Sequence, residues 1–265
     1  MKNIAYLGNY HTHTQWCNHS TLKAEQAVVE AVEAGLTELG FSEHAPFYDD
    51  RFFRVKYSEL WDYIYFLQRL KLKYANIINI RIGLEIEFFE KDITYYKQLY
   101  REYELDYLIL GQHYFDMHNS EQIIKTKTIG CTELLIRYAE TISSAMKTGL
   151  FKIVAHPDYC FSCDLPLDKN AYKAMEIIVE TAKLVGALLE INANGLRKPS
   201  FGSIIGNRKR YPFAPFWRLA AQYGVKCIIG SDAHHPGCIY DEAVKEAFTF
   251  VEDLGITVKD NNILF

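Results

Sequence analysis

Seven short β-branched or apolar runs recur along the chain, at residues 4–10, 38–42, 78–86, 106–111, 151–155, 187–191 and 225–230, and each gives way to a segment of helical pattern. The clearest helical segments are 22–34, 57–74, 132–147, 169–184 and 241–252, with shorter ones at 94–103 and 216–223. Gly35, Gly149, Gly186, Gly224 and Gly255 stand where these helices should stop, in the left-handed position that glycine takes at a helix C-terminus. Regular alternation of strand and helix implies a parallel sheet, and about seven such units imply either a closed barrel or a doubly wound open sheet. No internal repeat, low-complexity tract or Ser/Gly/Pro-rich linker invites a cut, so a single domain over 1–265 is expected.

The histidines choose between the two architectures. There are nine of them. His11 and His13 follow the first run, His44 the second, His113 the fourth, His156 the fifth, and His234 and His235 the seventh. The third run ends instead in Glu85-Ile86-Glu87. In parallel α/β folds the carboxyl ends of the strands lie on one face, so these residues meet there. An open sheet would spread seven strand ends over roughly 30 Å, whereas a closed barrel gathers them at one mouth. The expectation is therefore an α/β fold with a TIM-like closed barrel.

Period-two alternation puts His11 and His13 on one face, as it does Asp232 and His234, and paired imidazoles with carboxylates suit a divalent cation. Glu85 closes an apolar run, where an ionised carboxylate is costly unless a cation compensates it; Glu87 has the same parity and could serve instead. Any of these residues alone reads equally as a polar strand end, but the joint pattern points to a metal centre. Cys160-Phe161-Ser162-Cys163 lacks a second pair and reads as loop packing, and His118 as a solvated loop histidine.

Composition narrows the function. The 29 Lys and Arg are outnumbered by 33 Asp and Glu, a formal charge of -4, so no whole-protein basic field exists to drive nucleic-acid binding. No run of eighteen apolar residues and no leader-like start appear, and six scattered cysteines make no disulfide framework; a soluble protein of the reducing cytoplasm, with no membrane partner, is expected. Nothing in the sequence speaks to oligomeric state.

His11-x-His13 with His19 six residues on, Ser42-Glu43-His44, Gly83-x-Glu85, Gln112-His113, Ala155-His156-Pro157 and Ser231-Asp232-Ala233-His234 together resemble the polymerase-and-histidinol-phosphatase (PHP) family, over nearly the whole chain and in order. The segment from Glu190 through Asn192, Asn194, Arg197 and Lys198 to Pro199 is similar to the histidinol-phosphate phosphatase branch. The resemblance implies a distorted seven-stranded (β/α) barrel. It also implies two to three divalent ions (zinc, manganese or iron), one held by His11, His13, Glu85 and Asp232, a second by Glu85, His113 and His156, a third by His19, His44 and His234. Position 43 is Glu where many relatives carry Asp, and Cys17 lies near the loop of the third site, which leaves that site the least secure.

The implied reaction is hydrolysis of L-histidinol phosphate to L-histidinol and phosphate, a step of histidine biosynthesis. Three divalent ions offset by two carboxylates would leave a cluster of about +4, a strong attractor for a small phosphate ester on an acidic protein. A water bridging two ions would be the nucleophile, with no protein nucleophile required. Arg197, Asn192, Arg54 and Lys198 are the substrate-binding candidates, Arg197 for the phosphate itself; Arg51, in the same loop as Arg54, is a secondary one, and the Arg208–Arg210 run reads equally as solvated charge. The alternatives are another phosphomonoester or a phosphodiester as substrate, an amidohydrolase-type enzyme, in which a lysine rather than Glu85 would bridge the ions, and a non-catalytic metal- or phosphate-binding protein.

Overall fold

The computed structural model of the protein describes residues 7–47, 53–117, 122–256 and 258. Arg51, His118 and the first part of the strand expected at 4–10 lie outside the described residues. Strands β1 (Gly8–Asn9), β2 (Glu38–His44), β3 (Asn79–Ile86), β4 (Tyr107–Leu110), β5 (Ile153–Val154), β6 (Leu188–Asn192) and β7 (Cys227–Gly230) pair in that order, each parallel to its neighbour. The ends of this seven-stranded sheet meet through a parallel bridge between Thr12 and Ala233, with His13 N–H donating to the Ala233 carbonyl at 2.9 Å. Asn9 reinforces the seam by donating to the Ser231 hydroxyl at 2.8 Å and accepting from its N–H at 2.9 Å. The barrel is thus nearly closed, and the two-residue length of β1 and β5 makes it irregular.

Helices α1 (Ala24–Glu33), α2 (Leu60–Lys73), α3 (Ile93–Tyr103), α4 (Glu133–Lys147), α5 (Lys169–Val185), α6 (Ala193–Arg197), α7 (Ala214–Tyr223) and α8 (Glu242–Leu254) connect the strands. The helix α5 shows why these segments are helical. Ala171, Ala174, Met175, Ile178, Val179 and Ala182 recur at the helical spacing and are buried, while the Asp168 carboxylate caps the Asn170 and Ala171 N–H groups. The helix ends at Gly186, which has φ 70°. The other four glycines expected at helix ends also have positive φ.

Two short hairpins were absent from the sequence pattern. Tyr114–Asp116 pairs with Ile123–Lys125 after β4, and Phe201–Ser203 with Gly206–Arg208 after α6. The latter, with α6 before it, gives regular structure to part of the connection between β6 and α7. Inside the barrel, below the mouth, Tyr10, Tyr107, Ile109, Ile153, Leu188 and Ile228 form an apolar plug separate from the core between sheet and helices.

Candidate metal centre

Every strand sends at least one polar side chain to the mouth. His44 ends β2, Glu85 lies at the end of β3, and Glu190 and Asn192 lie at the end of β6; His11, His13, His113, His156, Asp232 and His234 follow within a few residues of the other strands. His19 enters from the loop after the turn at Gln15–Cys17. All nine expected ligands are gathered at this one place.

Glu85 is the hub. Its Oε2 lies 3.2 Å from His13 Nε2, 3.0 Å from His44 Nδ1 and 3.4 Å from His11 Nε2. Its Oε1 lies 3.1 Å from His156 Nε2 and 3.7 Å from His113 Nε2. Asp232 Oδ1 faces the same imidazoles from the other side, 3.6 Å from His11 Nε2 and 3.5 Å from His13 Nε2. Room for Glu85 comes from Gly111, where a Cβ would overlap the carboxylate, and Gly230 makes the same space for Glu190.

Four ring nitrogens on the outer side of the centre face acceptors. Glu190 takes His11 Nδ1 at 2.7 Å, Glu87 faces His113 Nδ1 at 3.4 Å, Glu43 faces His13 Nδ1 at 3.5 Å, and the Cys17 carbonyl takes His19 Nδ1 at 3.0 Å. Anchoring one ring nitrogen orients the other and raises its basicity, the arrangement found around metal-ligating histidines. Asn192 and Asn194 each donate to Asp232 Oδ2 at 3.1 Å, which turns Oδ1 toward the histidines.

The donor set fits divalent cations. Glu85 Oε2, His13 Nδ1 and His156 Nδ1 are buried without a hydrogen bond, and His11 Nε2 and His13 Nε2 face one another at 3.0 Å. Ligand atoms of His11, His13 and Glu85 lie within 4.8 Å of one another, as do those of His19, His44 and His234, of His44, Glu85 and His113, and of His11, His156 and Asp232. A further such group, His13, Cys17 and His234, brings the Cys17 thiol into the outer part of the centre. Burial opposes charge on Glu85, but His44, His11 and His113 together hold its carboxyl well below the usual range. His156 and Asp232 have left-handed backbones, φ 31° and 47°, a strain that accumulates where side-chain aim matters more than local stability.

A PHP domain family model matches residues 9–194. The chain belongs to the PHP family. "Probable histidinol-phosphatase" of Deinococcus radiodurans is 29% identical over 94% of each chain, and histidinol-phosphatase of Bacillus subtilis is 26% identical over 86% of this chain and 93% of its own. Among solved structures, the histidinol phosphate phosphatase of Lactococcus lactis, complexed with zinc, L-histidinol and phosphate, superposes with a TM-score of 0.71 at 19% identity, covering 96% of this chain and 95% of its own. At that identity the likeness speaks to the fold alone, and it is the irregular PHP barrel described above.

Above the PHP centre lies a cavity of about 340 Å³, with Phe53, Tyr114, Tyr159 and Tyr211 among its walls. Arg54 and Lys198, two of the expected substrate-binding residues, line it. Arg54 is nearly buried, donates to Glu87 Oε1 at 2.6 Å, and holds the Glu87 carboxyl, against the effect of its burial, down to about 2 with help from His113. Lys198 donates to the Tyr211 hydroxyl at 3.1 Å.

The other two candidates are engaged within the protein, contrary to the sequence expectation. Arg197 donates to Asp241 at 2.7 and 3.1 Å, to the Ser231 carbonyl at 2.5 Å and to the Cys238 carbonyl at 2.7 Å. It borders the smaller neighbouring cavity of about 270 Å³ rather than the larger one, and ties α6 to the β7 loop and the N-terminus of α8, which leaves little of its fork for a phosphate. Asn192 spends its amide on Glu190, Asp232 and the Asn194 N–H. Its contribution is to aim Asp232.

Glu190 and Glu43 had no assigned role in the sequence. A signal was there: each is a carboxylate inside an otherwise buried strand, and burial demands a partner. Lys125 and Lys127, which also line the large cavity, had no such signal, because the hairpin that ends at Lys125 and leads into the turn carrying Lys127 is set by pairing rather than by periodicity.

Proposed function

We propose that this PHP chain is a metal-dependent phosphomonoesterase that hydrolyses L-histidinol phosphate to L-histidinol and phosphate, in the cytoplasm and in the service of histidine biosynthesis. One observation carries the reading: Glu85 presents its two oxygens to two separate sets of imidazoles, the geometry of a carboxylate bridging two cations. His11, His13, Glu85 and Asp232 would hold one ion, the Glu85 Oε1 side with His113 and His156 a second, and His19, His44 and His234 a third, with zinc, manganese and iron all compatible with nitrogen and oxygen donors. Bound ions would supply Lewis acidity and a water that loses its proton near neutral pH.

The chain's own residues do the rest. Glu190, Glu43 and Glu87 keep the imidazoles aimed inward, and the Arg54–Glu87 pair stiffens the side nearest His113. Lys198 reaches into the cavity beside the centre, where its ammonium can meet a phosphoryl oxygen. The rings of Tyr159 and Tyr211, edge to face at 5.4 Å, offer an aromatic corner for an imidazole. The names of the Deinococcus and Bacillus relatives, each matched over nearly its full length, support the substrate.

The test is phosphate release from L-histidinol phosphate against sugar phosphates, nucleotides and a phosphodiester, on protein of measured metal content. A kcat/KM for L-histidinol phosphate at least tenfold above every other ester, abolished by strong chelators, is the expected result. Preference for the diester, or full activity without metal, overturns it.

A further inference from the structure

The same cavity has a second chemical character at its mouth. Lys125 ends the hairpin after β4, Lys127 follows two residues later, and Lys198 stands just beyond α6; all three line the cavity that opens above the metal centre. Among the described residues none of the three has a carboxylate within salt-bridge distance, although elsewhere on this surface lysines such as Lys56, Lys71, Lys73 and Lys245 are paired with acids. Lys125 and Lys198 rest instead on aromatic rings, those of Tyr114 and Tyr211.

The platform beneath Lys125 and Lys127 is well held. Thr126, between them, is buried, donates its hydroxyl to the Gln112 carbonyl at 2.6 Å and its N–H to the His113 carbonyl at 2.8 Å. The hairpin is clamped from below by Arg137, which donates to the Asp116 carbonyl and carboxylate, both at 2.8 Å. The three cations repel one another: Lys125 first, then partial burial and Lys198, hold the Lys127 ammonium below the usual lysine value. Like charges fastened together with no acid paired to them among the described residues leave that repulsion to be relieved by an anion from solution.

We propose that Lys125, Lys127 and Lys198 form an outer anion subsite at the cavity mouth, distinct from the metal centre, that takes a phosphoryl dianion, either released inorganic phosphate or the phosphoryl group of an entering ester. It rests on the metallophosphatase reading only for its biological sense, since the lysines are present whatever the reaction. The subsite adds its charge to that of any bound ions, so the cavity as a whole attracts more negative charge than one ester supplies. A substrate arriving at the mouth meets the lysines before it meets the histidines.

The experiment is calorimetric titration of the metal-loaded protein with inorganic phosphate, repeated on a Lys125→Gln/Lys127→Gln double variant and on Lys127→Arg. Two phosphates per chain in the wild type and in Lys127→Arg, and one in the double variant, is the expected result. The same number of phosphates in the double variant as in the wild type, whether one or two, overturns the proposal. The remaining phosphate in the double variant reports a folded chain and an intact metal centre. If that inner phosphate is missing from every protein, the metallophosphatase reading fails while the outer one is still scored.

Kinetics then separate the two sources of the dianion. If entering ester uses the subsite, kcat/KM of the double variant falls about tenfold at low salt, and the gap closes as ionic strength is raised to about 0.5 M, where the Debye length shrinks to a few ångströms. If kcat/KM is unchanged while the second phosphate is lost, the subsite serves the product alone.

Discussion

The barrel encloses two fully buried regions that differ in kind. In the lower half Tyr10, Tyr107, Ile109, Ile153, Leu188 and Ile228 pack as a plug, and the polar atoms there are answered: the Tyr107 hydroxyl donates to the carbonyls of Tyr10 at 2.7 Å and Phe41 at 3.0 Å, and the Tyr10 hydroxyl to Glu38 at 2.5 Å. In the upper half Glu85, His13 and His156 are as deeply buried yet keep polar atoms without hydrogen bonds. Burial therefore marks neither structure nor function by itself. What separates the halves is whether the protein completes its own hydrogen bonding or leaves it for a cation to complete.

The comparison breaks most visibly at its hub. Glu85→Gln removes the charge that both ligand sets share, and metal content below one ion per chain with a loss of kcat of at least about a thousandfold is expected from elemental analysis and steady-state kinetics. Glu87→Gln should retain the metal, since among the proposed ligands Glu87 reaches only the far nitrogen of His113. Equal loss in both variants would dissolve the distinction between hub and support. One step out, Glu190→Gln weakens the anchoring of His11, and competition with a fluorescent chelator should report metal affinity lowered about 10- to 100-fold, the usual effect of removing a ligand's supporting partner.

The lower half responds through stability instead. A Cβ on Gly83 would overlap the Tyr107 ring, so Gly83→Ala should cost about 1–3 kcal/mol and lower Tm by roughly 3–10 °C, with metal per folded chain unchanged. Metal loss without a fall in Tm would show the halves to be coupled. The smallest effect sharpens the boundary at the rim: Arg197→Ala loses about 2 kcal/mol of stability with little change in phosphate affinity, whereas Lys198→Ala lowers phosphate affinity several-fold with Tm nearly unchanged. Thermal unfolding and phosphate titration of the two variants check this, and the reverse outcome would return the phosphate to Arg197.

Much of this was legible in the residues. Seven apolar runs, the glycines at helix ends and histidines spaced to follow the strands suffice for a barrel with a polar mouth, because strand and helix periodicity and the direction of parallel strands are local rules. The bracing of the centre was not. Glu190 meets His11 across 179 positions and Glu43 meets His13 only once β1 and β2 are paired, so their roles follow from barrel closure.

Arg197 and Lys198 mark the limit most sharply. They are neighbours with like charge, and sequence alone gives both to the substrate. At the end of α6, however, the two side chains leave in different directions, and the one that meets Asp241, the Ser231 carbonyl and the Cys238 carbonyl is consumed by the fold while the other opens onto the cavity. The sequence by itself determined which chemistry gathers at the mouth, since residue types and their distance from each strand end are local facts. The tertiary structure alone decided which charges remain available there, since a guanidinium or a carboxylate is spent or free according to partners that only long-range packing brings within 3 Å or so.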